Sequence, residues 1–486
     1  MMVNTPTFAL FFAIVFAIYY LPAVSRSARR QSVWLLLSSY AFYALAQWKM
    51  LLLLMVATAV FYGLGLWLQR LIDAGKSRQA SHATTLGVCA GIGVLLWFKY
   101  FDFFASSIAS LLGLLGLGVT WNALNLVVPL GVSFFTFRLI SYIIEIHREH
   151  LRASSDPLEF AAYVSFFPSL LSGPIDRPER FLPQLRVPHP FDRQLAVDGC
   201  RQVLWGMFTK MCIADMLVRL TDRVWAAPDE QSALMLVVAA LLYPIQLYAD
   251  FSGYSHMAIG VGKVLGFQMA RNFNYPFLAR NVAEFWRNWH MSLTSWITDY
   301  VFMPLNVRFR DWGKVGMALA IIINLVLIGF WHGADWTYGL FGLYFGLFYI
   351  PLIVSGAFGK RKKLRPGWHG CPKGGDLAKM VANYMVVAVG MLLFRGQSLA
   401  EVGTYLHGMV ANGWSVGEFG IHPFCYLSIV VMLILHWTQR GTEHALQLKP
   451  GRLWNHRAYR WILYYTIILC IFKFKGEAHQ FIYFQF

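Results

Sequence analysis

Charge is what this 486-residue chain has little of. Asp, Glu, Lys and Arg together make up 13% of it, about half the share of a soluble domain. Hydrophobic residues make up 57%, and the mean hydropathy is +0.51. That balance excludes an ordinary water-soluble globule. Acidic residues are the scarcer sign, 24 against 41 Lys and Arg, leaving a net charge of +17. In a soluble protein this excess would raise nucleic acid as a partner. Here basic loops on one side of a membrane account for it, and no nucleic-acid-binding motif accompanies it. The six cysteines show no metal-ligand spacing and sit mostly in apolar runs, which argues against both a zinc site and a disulfide framework. The N-terminal run "FALFFAIVFAIYYLPAV" has no basic segment before it, so it reads as a retained helix rather than a cleaved signal. No P-loop, GxGxxG after a strand, HExxH or GxSxG is present, and "GVGKVLG" lacks phosphate-loop spacing. No internal repeat is visible either, and inverted repeats are what a transporter reading would predict.

What is present is a series of apolar runs. They fall near 7–24, 33–46, 49–69, 84–101, 104–119, 123–146, 158–173, 200–218, 233–250, 315–331, 337–356, 376–395, 423–437 and 459–473. Several are too short to cross a bilayer, so the pattern predicts an all-α polytopic membrane protein. It has roughly eleven crossings, with re-entrant or interfacial helices besides. One continuous membrane domain is expected over 1–486, with a catalytic core near 120–360 and further helices over 376–486. The basic loops "SRSARR" (25–30) and "QRLIDAGKSRQ" (69–79) should face the cytoplasm, which puts the N-terminus outside. "RFRDWGK" (308–314) and "KRKKLR" (360–365) should be cytoplasmic too, and 360–375 reads as a loop or hinge.

Four polar clusters interrupt the apolar background. In "FFPSLLSGPIDRPERFLPQL" (166–185), Pro168, Gly173 and Pro174 break a hydrophobic run before Asp176 and Arg177. A broken helix at membrane depth is tolerated where it lines a cavity or is buried in protein, but an ordinary helix end fits the same residues. "YADFSGYSHMAIG" (248–260) places Tyr248, Asp250, Ser252, Tyr254 and His256 directly after a span. Asp250 there needs a partner, so it belongs to a salt bridge or to a site. The stretch 271–305 mixes Trp286, Trp289 and Trp296 with Arg287 and His290. The i, i+3, i+4 spacing of Trp286, Trp289 and His290 predicts neighbouring faces of one helix, which also suits an interfacial aromatic belt. In "IGFWHGADWTYGLFG", His332 stands inside apolar sequence, 18 residues after Lys314. If helical, that is roughly 27 Å from the cytoplasmic loop. A lone buried histidine is commonly a satisfied core residue. Two of them beside helix-breaking segments point instead to a reaction site, because neutral imidazole is suited to take a proton from a hydroxyl.

Taken together, "FFPSLLSGPIDR", "YADFSGYS", "NFNYPFLARNVAEFWRNWHMSL", "GFWHGADWTYGLFG" and the terminal "FIYFQF" resemble the membrane-bound O-acyltransferase family. Within it they are most similar to the bacterial branch that O-acetylates polysaccharides such as alginate. The resemblance runs through most of the chain. It implies a ring of helices around a thinned centre, with a funnel leading to the catalytic histidine. His332 matches the family's essential histidine and His290 its second, supporting one. Further residues suggested for the substrate path are Asp250, Ser252, Tyr254, Arg287, Trp331, Trp336, Asn324, Ser172 and Arg177. His256 stands where many relatives carry an acidic residue.

The resemblance further implies that no cofactor is bound, that acetyl-CoA is the donor, and that no metal takes part. The expected partners are a periplasmic SGNH-type acetyltransferase or an acyl-accepting membrane-anchored protein, the exopolysaccharide synthesis and secretion complex, and membrane lipid. The expected location is the bacterial inner membrane. Peptidoglycan O-acetylation, D-alanyl transfer to teichoic acid, and transport of a polysaccharide or lipid-linked sugar are the competing readings.

Overall fold

A computed structural model describes residues 3–360, 370–417, 420–448, 456–477 and 479. Most of the basic loop 360–365 and the "FIYFQF" ending lie outside the described residues. The described elements are helices joined by turns, and six of them are long and apolar enough to cross a membrane. That is fewer than the roughly eleven crossings expected, and part of the difference is merging. Ala28–Asp73 contains both expected spans 33–46 and 49–69, divided at Gln47, whose backbone leaves the helical region. Its 46 residues would measure about 69 Å if straight, more than twice the hydrocarbon thickness. Ser77–Leu114 likewise takes in 84–101 and most of 104–119, running unbroken through the expected gap at 102–103, with a wide π turn at Leu96–Tyr100 inside the first of the two. Pro6–Tyr19 and Pro423–Thr438 are shorter apolar helices.

The chain packs as two compact units, residues 1–203 with 257–270, and residues 204–256 with 271–486. In the first, the expected span 123–146 becomes helical only at Val132. Ahead of it Asn125 is left-handed (φ 48°), and the Asp102 carboxylate accepts the Leu124 and Asn125 backbone N–H groups at 2.9 and 3.0 Å. The predicted interruption near Pro168 is real. Pro157–Ser165 stops, the chain bends at Phe166, and a single turn, Phe167–Leu170, follows. The carbonyls freed at that break are not lost. The buried Arg138 guanidinium donates to Tyr163 O at 3.1 Å, Val164 O at 3.0 Å and Ser169 Oγ at 2.5 Å. Broken backbone is thus satisfied inside protein, as lipid surroundings demand. Beyond it, Asp176 is buried and accepts the Ala270 N–H at 2.7 Å. Burial pushes its carboxyl up to about 6, although Arg138 pulls the other way.

In the second unit, Leu220, Val224, Leu236, Leu392 and Tyr405 form an apolar core. The segment "YADFSGYSHMAIG" does not follow a span, as the sequence suggested. It lies inside the continuous helix Ala233–Val264. The hydropathy drop is misleading because Tyr248, Asp250, Ser252 and Tyr254 are buried there rather than exposed at a helix end.

Candidate active site

His332 is the last residue of the apolar helix Gly313–His332. Twenty helical residues measure about 30 Å, so His332 stands nearly a full helix length from Lys314, as the spacing predicted. Asp335 then caps the next helix, Trp336–Val354, by accepting the Thr337 N–H at 2.8 Å. These two helices meet at backbone distance. A β-carbon on Gly342 would stand 2.3 Å from Leu325 O and 2.5 Å from Val326 Cα, and one on Gly329 would stand 2.0 Å from Tyr338 O. A seam of small residues of this kind lets membrane helices approach closely, and here it fixes where the His332 end of the helix lies.

His290 is not on one helix with Trp286 and Trp289. Val282–Trp286 ends first, and Met291–Ile297 begins after His290, which caps it in a left-handed conformation, φ 43° and ψ 50°. For a residue with a β-carbon that conformation costs roughly 1–2 kcal/mol. The turn takes His290 out of helical register and buries it completely, at 0% exposure. Its ring centroid lies 6.2 Å from that of His332, with the planes tilted by 55°. Trp331 packs edge-on to both, 5.4 Å from His290 and 4.9 Å from His332. Phe251 closes on His290 at 4.6 Å and Phe394 on His332 at 5.0 Å. Burial pushes the His290 imidazole down to about 3, so it is neutral at physiological pH. Two histidines from separate segments therefore share one aromatic enclosure, which is the chemical setting of a water-poor proton-transfer site.

The other sequence candidates are placed as follows. Trp331 belongs to the enclosure. Asn324 is buried on the His332 helix. Asp250, Ser252 and Tyr254 are buried in Ala233–Val264. Asp250 Oδ1 lies 2.6 Å from Lys210 Nζ, which also lies 2.7 Å from Asp215 Oδ1. An ion pair thus accounts for Asp250, one of the two readings its position left open. Arg287 donates to Phe358 O at 2.9 Å. Trp336 is 54% exposed and packs on Phe330, with ring centroids 6.0 Å apart. Ser172 and Arg177 lie in the first unit, between its short helices, and His256 is half-buried in Ala233–Val264. Among the described residues, no group of three His, Cys, Asp or Glu side chains could hold a metal ion.

A family model for membrane-bound O-acyltransferases matches residues 4–366. The chain belongs to the membrane-bound O-acyltransferase family. It is 33% identical over 416 residues to the probable alginate O-acetylase AlgI of Pseudomonas aeruginosa, an alignment covering 84% of this chain and 75% of that protein. It is 27% identical to the peptidoglycan O-acetyltransferase of Helicobacter pylori, over 99% of this chain and 97% of that one. The teichoic acid D-alanyltransferase of Streptococcus thermophilus is 32% identical over a shorter stretch, 48% of this chain and 58% of its own. The chain is accordingly a multi-pass membrane O-acyltransferase.

Sequence reasoning missed several residues of this membrane-bound O-acyltransferase that the fold pairs with the residues it singled out. Lys210 lies inside the expected span 200–218, and a lysine five residues before Asp215 in apolar sequence is a usable signal. His436, also in an apolar helix, meets Tyr248 Oη with its Nε2 at 3.2 Å. Phe251 and Phe394 gave no signal at all, because aromatic residues are abundant throughout the chain.

Proposed function

We propose that the chain transfers an acetyl group from cytoplasmic acetyl-CoA to a hydroxyl on the outer side of the inner membrane, in the O-acetylation of an exopolysaccharide such as alginate. The observation that carries this reading is the buried His290–His332 pair inside its aromatic enclosure. A hydroxyl is a poor nucleophile until a base takes its proton. In this reading His332 accepts that proton as the hydroxyl oxygen bonds to the thioester carbonyl carbon. The carbon–sulfur bond then breaks, and the proton passes to the departing thiolate, so CoA leaves as the thiol. A neutral imidazole keeps one N–H donor, and His290 uses it to stabilise the negative charge that builds on the carbonyl oxygen. A transient acyl group on His332 would employ the same two side chains. The apolar walls protect the thioester from water.

Acetyl rather than D-alanyl transfer is favoured by extent of similarity, since two acetyl-transferring relatives align over 84% and 99% of the chain and two D-alanyltransferases over 48% and 56%. The acceptor is then a serine of a periplasmic SGNH-type acetyltransferase, or a membrane-anchored carrier protein, working with the polymer synthesis and secretion complex. Basic loops at 25–30 and 69–79 support a periplasmic N-terminus. The test is to supply radiolabelled acetyl-CoA to inside-out membrane vesicles carrying the protein and its acceptor. Label on a lumenal acceptor supports the reading. Label that stays on CoA, with transfer from a D-alanyl donor instead, overturns it.

A further inference from the structure

His290 holds a backbone conformation that a residue with a β-carbon keeps only when its surroundings impose it, and those surroundings are specific. The segment Asn272–Asn274 runs alongside 288–291 and bonds to it on both sides of His290. Met291 N–H donates to Asn272 O at 2.8 Å, and Asn274 N–H donates to Asn288 O at 3.0 Å. The side chains repeat the pairing. Ser292 Oγ donates to Asn272 Oδ1 at 2.5 Å, and Asn274 Nδ2 donates to Asn288 Oδ1 at 3.1 Å. Tyr275, directly after the segment, is a second left-handed residue, φ 50°. Asn272 has another reach. Its Nδ2 donates to Ser255 Oγ at 2.9 Å, one turn along the same helix from Phe251, whose ring packs on His290. Asn272 is 1% exposed and Ser255 is 2% exposed, so water does not compete for these bonds.

We propose that Asn272, seconded by Asn274, is a positioning residue: it clamps the left-handed His290 turn and ties it to the helix that carries Phe251, thereby setting the His290 ring against His332. This rests on the reading of His290 as a catalytic partner. An interaction that orients a reacting group acts on turnover more than on substrate affinity, since an ångström of misplacement costs on the order of 100-fold in rate.

The experiment is a double-mutant cycle on acetyl transfer from radiolabelled acetyl-CoA in membrane vesicles at matched expression. Asn272→Ala, Ser292→Ala and Ser292→Thr are each made in the wild-type and His290→Ala backgrounds. Ser292→Ala deletes one hydroxyl and keeps the helix, so it remains informative should Asn272→Ala fail to fold. The clamp predicts that Asn272→Ala lowers kcat on the order of 100-fold with KM little changed. It predicts a smaller loss for Ser292→Ala and recovery in Ser292→Thr. In the His290→Ala background none of the three should lower kcat further. Equal losses in both backgrounds, or normal kcat in Asn272→Ala and Ser292→Ala while His290→Ala is impaired, overturn the clamp. Full activity in His290→Ala overturns the parent reading of that residue instead.

Discussion

The seam between Gly313–His332 and Trp336–Val354 makes a quantitative demand on Gly342. Carbon atoms in contact normally stand about 3.5–4.0 Å apart. A β-carbon at Gly342 would stand 2.3 Å from Leu325 O and 2.5 Å from Val326 Cα, both backbone atoms that no rotamer change can move aside. Gly342→Ala must therefore push the two helices apart by about 1 Å, an overpacking that costs typically 1–3 kcal/mol. His332 ends one of these helices. A shift of that size in a reacting group lowers turnover on the order of 100-fold. Gly63→Ala is the control. It lies in a helix interior with nothing within 4 Å of its would-be β-carbon, so it should stabilise by roughly 0.5–1 kcal/mol. The assay is the thermal unfolding midpoint of the purified protein in detergent, together with acetyl transfer in vesicles. Wild-type unfolding and wild-type transfer in Gly342→Ala would refute the close-packing argument and the placement of His332 that depends on it.

Other consequences concern the buried charges. Lys210→Met leaves Asp215 and Asp250 facing each other without their shared ammonium, which should destabilise by about 3–5 kcal/mol. Adding Asp250→Asn and Asp215→Asn should restore most of the unfolding midpoint, and a failure to restore any would place the damage elsewhere. Asp176 makes stability depend on pH. Because its folded value lies near 6 against an ordinary 3.8, its contribution is fully present below about 3.8 and is lost as pH rises through about 6. Unfolding midpoints measured between pH 4 and 7 should show a shallower decline in Asp176→Asn than in the wild type, and an identical slope would contradict this. His290 shifts the opposite way. Its lowered folded value means that its contribution is complete above the ordinary 6.5 and is lost as pH falls toward about 3. The wild type should therefore lose more stability below pH 6 than His290→Asn, a substitution that also tolerates the left-handed backbone, and matching acid profiles would argue against it.

How much of this was legible in the sequence differs from residue to residue. Hydropathy identified the membrane class, and the cost of an imidazole in apolar sequence singled out His332. The distance from Lys314 was readable because that helix is regular. His290 was found by the company it keeps, yet its geometry was misjudged. A left-handed turn in a residue with a β-carbon leaves no periodic trace, so 3.6-residue spacing assigned it to a helix that ends at Trp286. Asp250 in apolar sequence needs a partner, but Lys210 is distant in sequence and only packing pairs them. The polar run at 248–260 looked like a helix end because one-dimensional hydropathy cannot tell a side chain facing water from one facing a buried cation. Asn272 was in view within "NFNYPF" and said nothing alone, since its importance lies in which backbone groups it meets.

The most direct test of the central claim is the acetyl content of the host's extracellular polymer, compared between wild type and His332→Ala at matched membrane expression. The account predicts polymer that is still secreted but stripped of acetyl groups. Normal acetylation would contradict the assignment of His332 as the reaction centre, and polymer retained inside the cell would point to transport in place of acyl transfer.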